Sequence, residues 1–359
     1  MTKKLGMLLT LWNDDYLKKQ KELLPLAREL GYTEVWSGIA RETVGKAKEI
    51  AELLNNLGFY YVVDVSPDVF NQLGASPRNL RVFKDIGVGG LRLDWGFSLD
   101  EMVEIANNEL GLKTELNASV FPVDHIDEFL RKVRDPELVM ASHDFYPWME
   151  TGLSLEDAVA KSKEFHSRGI SVAAFIVRKG GARSTIETLR ELDIGTSANV
   201  LINTKVIDRI WIGEPEPTKT ELEDVSSSLM YTRLRVRVYP NVTEEEKKVF
   251  GREFRDVRIK ENSVGLTTAG ENNITPRNVV RRYSGSVCVV NDNPHYIQVW
   301  IFKKDVNADG RFNVIGEILE EDSFLLEHLA ERTGGTFRIK DELPPVVLQP
   351  IYESFSTSR

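Results

Sequence analysis

Short apolar runs alternate with longer amphipathic stretches eight times through the first two-thirds of the chain, and this alternation leaves few folds open. The runs occupy residues 5–11, 34–38, 60–65, 90–94, 114–117, 138–143, 171–176 and 206–212. Between them, apolar residues recur at helical spacing over 17–30, 43–57, 99–108, 124–134, 154–167 and 185–192, with a further stretch at 221–229. Glycine just past a helical pattern, as in Leu30-Gly31, Leu57-Gly58 and Arg168-Gly169, supplies the left-handed residue that closes a helix. Repeated βα units build a parallel sheet, and eight of them predict closure into a (β/α)8 TIM barrel. An open doubly wound sheet would carry a phosphate-binding glycine fingerprint in its first βα turn, and none is present.

From Arg233 the texture changes to alternating and β-branched runs at 234–239, 286–290, 296–302 and 312–315. These predict a smaller, mostly antiparallel β domain with one helix near 321–332. The expected division is a barrel over 1–232 and a β domain over 233–359. Residues 305–311 open like a calcium-binding loop, but the twelfth position is Gly316 where a bidentate Glu is required, so the stretch reads as a hairpin turn.

A net charge of -9 argues against a nucleic-acid partner, whose phosphates would call for a basic surface. Nothing reaches the ~18 apolar residues of a membrane span, and the apolar stretch after Met1 is stopped by Trp12-Asn13-Asp14-Asp15 without a cleavage site. A single cysteine, Cys288, allows no intramolecular disulfide and fits a reducing compartment, so a cytoplasmic protein is expected.

In a barrel of this kind the reactive groups project from the carboxyl ends of the strands. Here strand three ends Asp64-Val65-Ser66-Pro67, strand four Arg92-Leu93-Asp94-Trp95-Gly96, strand five Glu115-Leu116-Asn117-Ala118-Ser119, and strand six His143-Asp144-Phe145-Tyr146-Pro147. Alternation puts Arg92 with Asp94, and Glu115 with Asn117, on one face. Carboxylates around one cavity suit glycoside hydrolysis, which needs a protonated acid for the leaving group. A second carboxylate then serves as nucleophile, as base, or to orient the substrate's own acetamido group. Asp64, Asp94 and Glu115 are the candidates, and structural pairing with Arg92 is the plain alternative for any one of them. His143, alone among five histidines on a strand end, either holds substrate or joins the carboxylates as a metal ligand. Arg178-Lys179-Gly180-Gly181 after strand seven is a basic loop where barrels often hold phosphate.

These strand ends, with Thr151-Gly152-Leu153-Ser154, Arg282-Tyr283-Ser284-Gly285 and residues 309–316, resemble the 6-phospho-N-acetylmuramidase family over nearly the whole chain. The resemblance implies a TIM barrel followed by a cyclophilin-like β-barrel. It also implies hydrolysis of the bond between 6-phospho-N-acetylmuramic acid and N-acetylglucosamine during peptidoglycan recovery. The chain departs from the family pattern in its first strand end, Leu11-Trp12-Asn13-Asp14, and in a short loop at 178–184. It also lacks the family's His within 185–190 and has Asp144 where Asn is common.

The expected protein is therefore a cofactor-free glycosidase acting on a phosphorylated amino-sugar disaccharide. Asp64, Asp94 and Glu115 would be catalytic, Asn117, His143 and Tyr146 would hold the sugar, and Arg92, Arg178 and Lys179 would meet its anionic groups. Arg282 would join them if the second domain overhangs the barrel mouth, and homodimerisation is that domain's other expected role. Two further readings are a phospho-sugar-binding barrel that has lost turnover and a metal-dependent isomerase or aldolase built on His143.

Overall fold

Eight parallel strands close on one another in sequence order: β1 (Lys4–Leu8), β2 (Tyr32–Gly38), β3 (Tyr60–Val65), β4 (Gly90–Leu93), β5 (Lys113–Asn117), β6 (Val139–Ser142), β7 (Ser171–Ile176) and β8 (Arg209–Ile212). Pairing of β8 with β1 completes the barrel. The computed structural model describes residues 2–332 and 343–352. The chain divides into two compact units, Met1–Ile194 with Val206–Ser226, and Gly195–Lys205 with Ser227–Arg359. No helix among the described residues is long and apolar enough to cross a membrane.

Polar residues just past the strands cap the helices that follow. Asn13 accepts the Tyr16 N–H, Ser66 that of Val69, Ser98 that of Glu101, and Ser154 that of Asp157. Each satisfies an amide the first helical turn leaves without an intrahelical acceptor. The expected helix at 185–192 is instead a short turn at Thr188–Glu191, and the helix is Ile194–Asn203. Its apolar spacing is real, since Ile186, Leu189 and Leu192 are buried, but Glu187 and Arg190 are spent on fastening loops, as described below.

Alternation along the strands sorts the barrel's side chains. Leu91, Leu93, Leu116 and Ala141 are wholly buried on the helix side, the last two against Phe129 and Phe165. Inside the barrel, Arg209 donates its two terminal nitrogens to Glu115 at 2.9 and 3.0 Å, and a third bond to Glu34 at 3.1 Å. Trp211 Nε1 also donates to Glu34, at 2.8 Å. Glycines make the room: a Cβ on Gly6 would stand 2.3 Å from the Trp211 ring, and one on Gly90 2.0 Å from the Tyr60 hydroxyl.

The second unit is a nearly closed mixed barrel of eight strands: β9 (Thr232–Val238), β10 (Glu253–Phe254), β11 (Asp256–Lys260), β12 (Ser263–Ala269), β13 (Ser286–Val290), β14 (Tyr296–Phe302), β15 (Phe312–Ile318) and β16 (Val346–Ile351). All neighbours are antiparallel except β16 and β9. The turn at Asp309 is not a hairpin: β14 and β15 lie on either side of β13, so residues 303–311 cross over it. The expected helix near 321–332 is only Ser323–Glu327, because Arg332 has already joined a bridge to Val257.

Candidate active site

Arg92 organises the mouth of the first barrel. It is 3% exposed, and donates from Nη1 to Asp64 Oδ1 at 2.7 Å, from Nε to Ser142 Oγ at 3.0 Å, and from Nη2 to Asp144. Asp94, on the same face of the chain as Arg92, has its Oδ1 3.9 Å from Nη1. Asn117 Nδ2 donates to both oxygens of Asp144 at 3.0 and 3.1 Å and to Asp94 at 3.4 Å. The Asn117 amide oxygen accepts from the Ser119 N–H, and Ser119 Oγ accepts the Asp144 N–H at 2.9 Å. Three carboxylates thus share one guanidinium, and all keep a face to solvent, with Asp64, Asp94 and Asp144 24%, 33% and 28% exposed.

Crowding three acids around one cation favours the neutral form of one of them. That one is Asp64, pushed up from 3.8 to about 6 by loss of hydration, with Asp94 and Asp144 adding to the rise and Arg92 opposing it. Tyr146 is half-buried over the same cluster, and its hydroxyl is pushed up by burial, with Asp144 adding to the shift.

The loops after β6 and β7 are fastened to each other. Arg190 is wholly buried and donates to the carbonyls of Tyr146 and Trp148 on one loop and Gly181 and Ala182 on the other. Glu187 accepts the N–H groups of Glu150 and Gly152 at 2.9 and 2.8 Å. Within this fastened pair the Arg183 guanidinium stands 5.8 Å from the centre of the Phe145 ring, and its charge acts on the nearby Glu214 carboxylate. Trp95 and Trp148, in the loops after β4 and β6, are 76% and 74% exposed and offer flat apolar faces.

Of the residues expected from sequence, Asp64, Arg92, Asp94 and Asn117 come together, with Tyr146 beside them. Glu115 does not join them: it is 0% exposed inside the barrel, with its carboxylate forked by Arg209. His143 faces away from the carboxylates, buried between Ser119 Oγ at 3.3 Å and Ser162 Oγ at 2.9 Å. Burial pushes its imidazole down to about 3, and with both ring nitrogens engaged by serines and no surface exposed it does not reach the cluster of Asp64 and Asp94. Among the described residues no group of three or more His, Cys, Asp or Glu is arranged to hold a metal ion.

Arg178 is occupied by Glu221 at 2.9 Å and the Glu216 carbonyl at 2.6 Å, and Lys179 is exposed. Arg282 lies in the second unit, its guanidinium 4.4 and 4.8 Å from the ring centres of Phe302 and Phe312 and bonded to the Asn307 carbonyl. The residues that sequence reasoning missed are Asp144 and Arg183. The same alternation used for strands four and five finds the first, since it sets Ser142 and Asp144 inward and His143 outward.

The N-terminal model of the 6-phospho-N-acetylmuramidase family matches residues 10–227 and its C-terminal model residues 232–340. An uncharacterized B. cereus protein of known structure is 27% identical, with a TM-score of 0.80 over 93% of this chain and 98% of that one. A conserved Enterococcus faecalis protein of unknown function shares the fold at 18% identity, with a TM-score of 0.69 over 97% of this chain and 96% of its own. No curated protein matches the sequence.

Proposed function

The chain belongs to the 6-phospho-N-acetylmuramidase family, and on that premise we propose that it is a cytoplasmic glycoside hydrolase of peptidoglycan recycling. Its substrate is a phosphorylated amino-sugar disaccharide such as 6-phospho-N-acetylmuramyl-N-acetylglucosamine. The observation that carries the reading is the cluster of Asp64, Asp94 and Asp144 on Arg92, in which one acid, Asp64, is pushed up to about 6.

Asp64 is the general acid. With a pKa near 6 about a tenth of it is protonated at pH 7, enough to deliver a proton to the departing glycosidic oxygen. Asp94 carries the second carboxylate role, because it is the most exposed of the three and the least engaged by donors. Asp144, held by Arg92 and on both oxygens by Asn117, fixes the cluster and adds, after burial and Asp94, to the rise of the Asp64 carboxyl. Arg183 meets the phosphate, since guanidinium forks suit phosphate oxygens and its guanidinium lies beside Phe145 at the same mouth, with Glu214 as its nearby counter-charge.

The test is hydrolysis of the phospho-muramyl disaccharide by the wild type and by Asp64→Asn and Asp94→Asn. Each substitution is expected to lower turnover by about 10²-fold or more. Full turnover by both variants overturns the assignment. Tight binding by the wild type with no cleavage over long incubation would make the protein a binding protein instead.

A further inference from the structure

Beside the carboxylate cluster, between the loops after β4 and β5, lies a cavity of about 450 Å³ that the hydrolysis described so far does not use. Trp95, Phe97, Leu99, Met102 and Val120 make its apolar walls, Asp94 and Asn117 the polar edge on the side of the carboxylate cluster, and the exposed His125 its outer rim. Trp95 and Val120 hold 76% and 57% of their surface open. Apolar walls with a few convergent polar groups are the usual form of a small-molecule subsite.

The polar edge says what enters. Asn117 has its nitrogen committed to Asp144 and Asp94 and its oxygen already accepting from Ser119, so what it can still offer a ligand is one acceptor position. Asp94 receives only the 3.4 Å bond from Asn117 and lies 3.9 Å from Arg92, so it has acceptor positions to spare. A group that satisfies both wall and edge must present one donor to Asp94 and carry an apolar tail immediately beyond it. A secondary amide does this, with its N–H followed by an acyl chain, whereas a hydroxyl on a sugar ring has no tail.

We propose that this cavity is an acyl subsite of the sugar site, in which Asp94 accepts the amide N–H of an N-acylated amino sugar, and that it admits acyl chains longer than acetyl. A cavity of about 450 Å³ lies within the range that takes whole drug-sized ligands, far beyond one methyl group. The inference rests on the reading of the barrel mouth as a sugar site.

The experiment is calorimetric titration of the full chain with glucosamine 6-phosphate and its N-acetyl, N-butanoyl and N-hexanoyl derivatives. The free amine is expected to bind weakest, and each added methylene to tighten binding by up to about fourfold until the cavity is full. Val120→Trp places a ring into the cavity from an exposed position, and is expected to reverse the order so that N-hexanoyl binds at least tenfold more weakly than N-acetyl. Equal affinity for the free amine and the N-acetyl sugar, or affinity that falls from acetyl to butanoyl in the wild type, overturns the acyl subsite. That result leaves the hydrolase reading standing if the disaccharide is cleaved. Failure of all four sugars to bind overturns the acyl subsite, and the hydrolase reading falls with it only if the disaccharide is not cleaved either.

Discussion

Replacing Asp144 by asparagine moves the pH range of hydrolysis and spares its maximum. Asp64 and Asp144 sit on the two terminal nitrogens of Arg92, so the Asp144 charge raises the Asp64 carboxyl directly and also draws off part of the guanidinium that would lower it. Two unit charges across one guanidinium, roughly 6 Å apart, repel by about 3 kcal/mol at an effective dielectric of 20. About a quarter of each side chain faces water, which cuts that figure to roughly half, or about one pKa unit. Asp64 then falls from about 6 to about 5. At pH 7 the protonated fraction drops from about a tenth to about a hundredth, and kcat/KM falls about tenfold, while below about pH 5 the variant matches the wild type. The assay is kcat/KM on the phospho-disaccharide between about pH 4 and 8, together with a carbon NMR titration of the Asp64 carboxyl. A descending limb that stays at its wild-type position, or moves upward, refutes the reasoning.

Three other outcomes follow from the same geometry. The Asp64 carboxyl is raised from 3.8 to about 6 in the folded chain, so the fold retains a proton that the unfolded chain has already lost, and stability falls as pH rises through that window. Asp64→Asn is therefore expected to be inactive yet roughly 1–3 kcal/mol more stable than the wild type to urea at pH 7, and equal to it below about pH 4. Glu115→Gln takes one of two carboxylates from Arg209, which keeps Glu34 and the Ala141 carbonyl, and is expected to cost about 1–3 kcal/mol, while the folded fraction keeps its turnover and its pH limb. A stable but inactive variant would return Glu115 to the chemistry. Arg183→Ala is expected to raise KM for the phosphorylated disaccharide about tenfold or more, with little change in kcat and none in KM for the dephosphorylated one. An equal effect on both substrates would remove Arg183 from phosphate recognition.

The barrel was legible because two periods, that of strands and that of helices, each survive in the sequence wherever one face is buried. Alternation also told which way Arg92, Asp94 and Asn117 point. It did not tell how far along the barrel a residue sits. Glu115 and Asn117 share a face, but they are two residues and roughly 6–7 Å apart along the strand, and only Asn117 reaches the mouth. The Arg209 that claims Glu115 comes from β8, and nothing local to strand five announces it. His143 drew notice as a chemically versatile residue on a strand end, where the strand's own phase places Asp144 inward instead. Charge alone does not rank the loop cations, since the fold spends Arg178 on Glu221 and sets Arg183 beside Phe145.

Arg190 and Glu187 bear on how such an enzyme could be altered. Because these two side chains hold residues from both loops at once, segments 146–152 and 178–190 behave as a single cassette. Lengthening or trimming one half shifts the anchor points of the other. A change of sugar preference at this end of the barrel is then expected to come by exchanging both segments together, and transplants of one alone are expected to unfasten the mouth before they retune it.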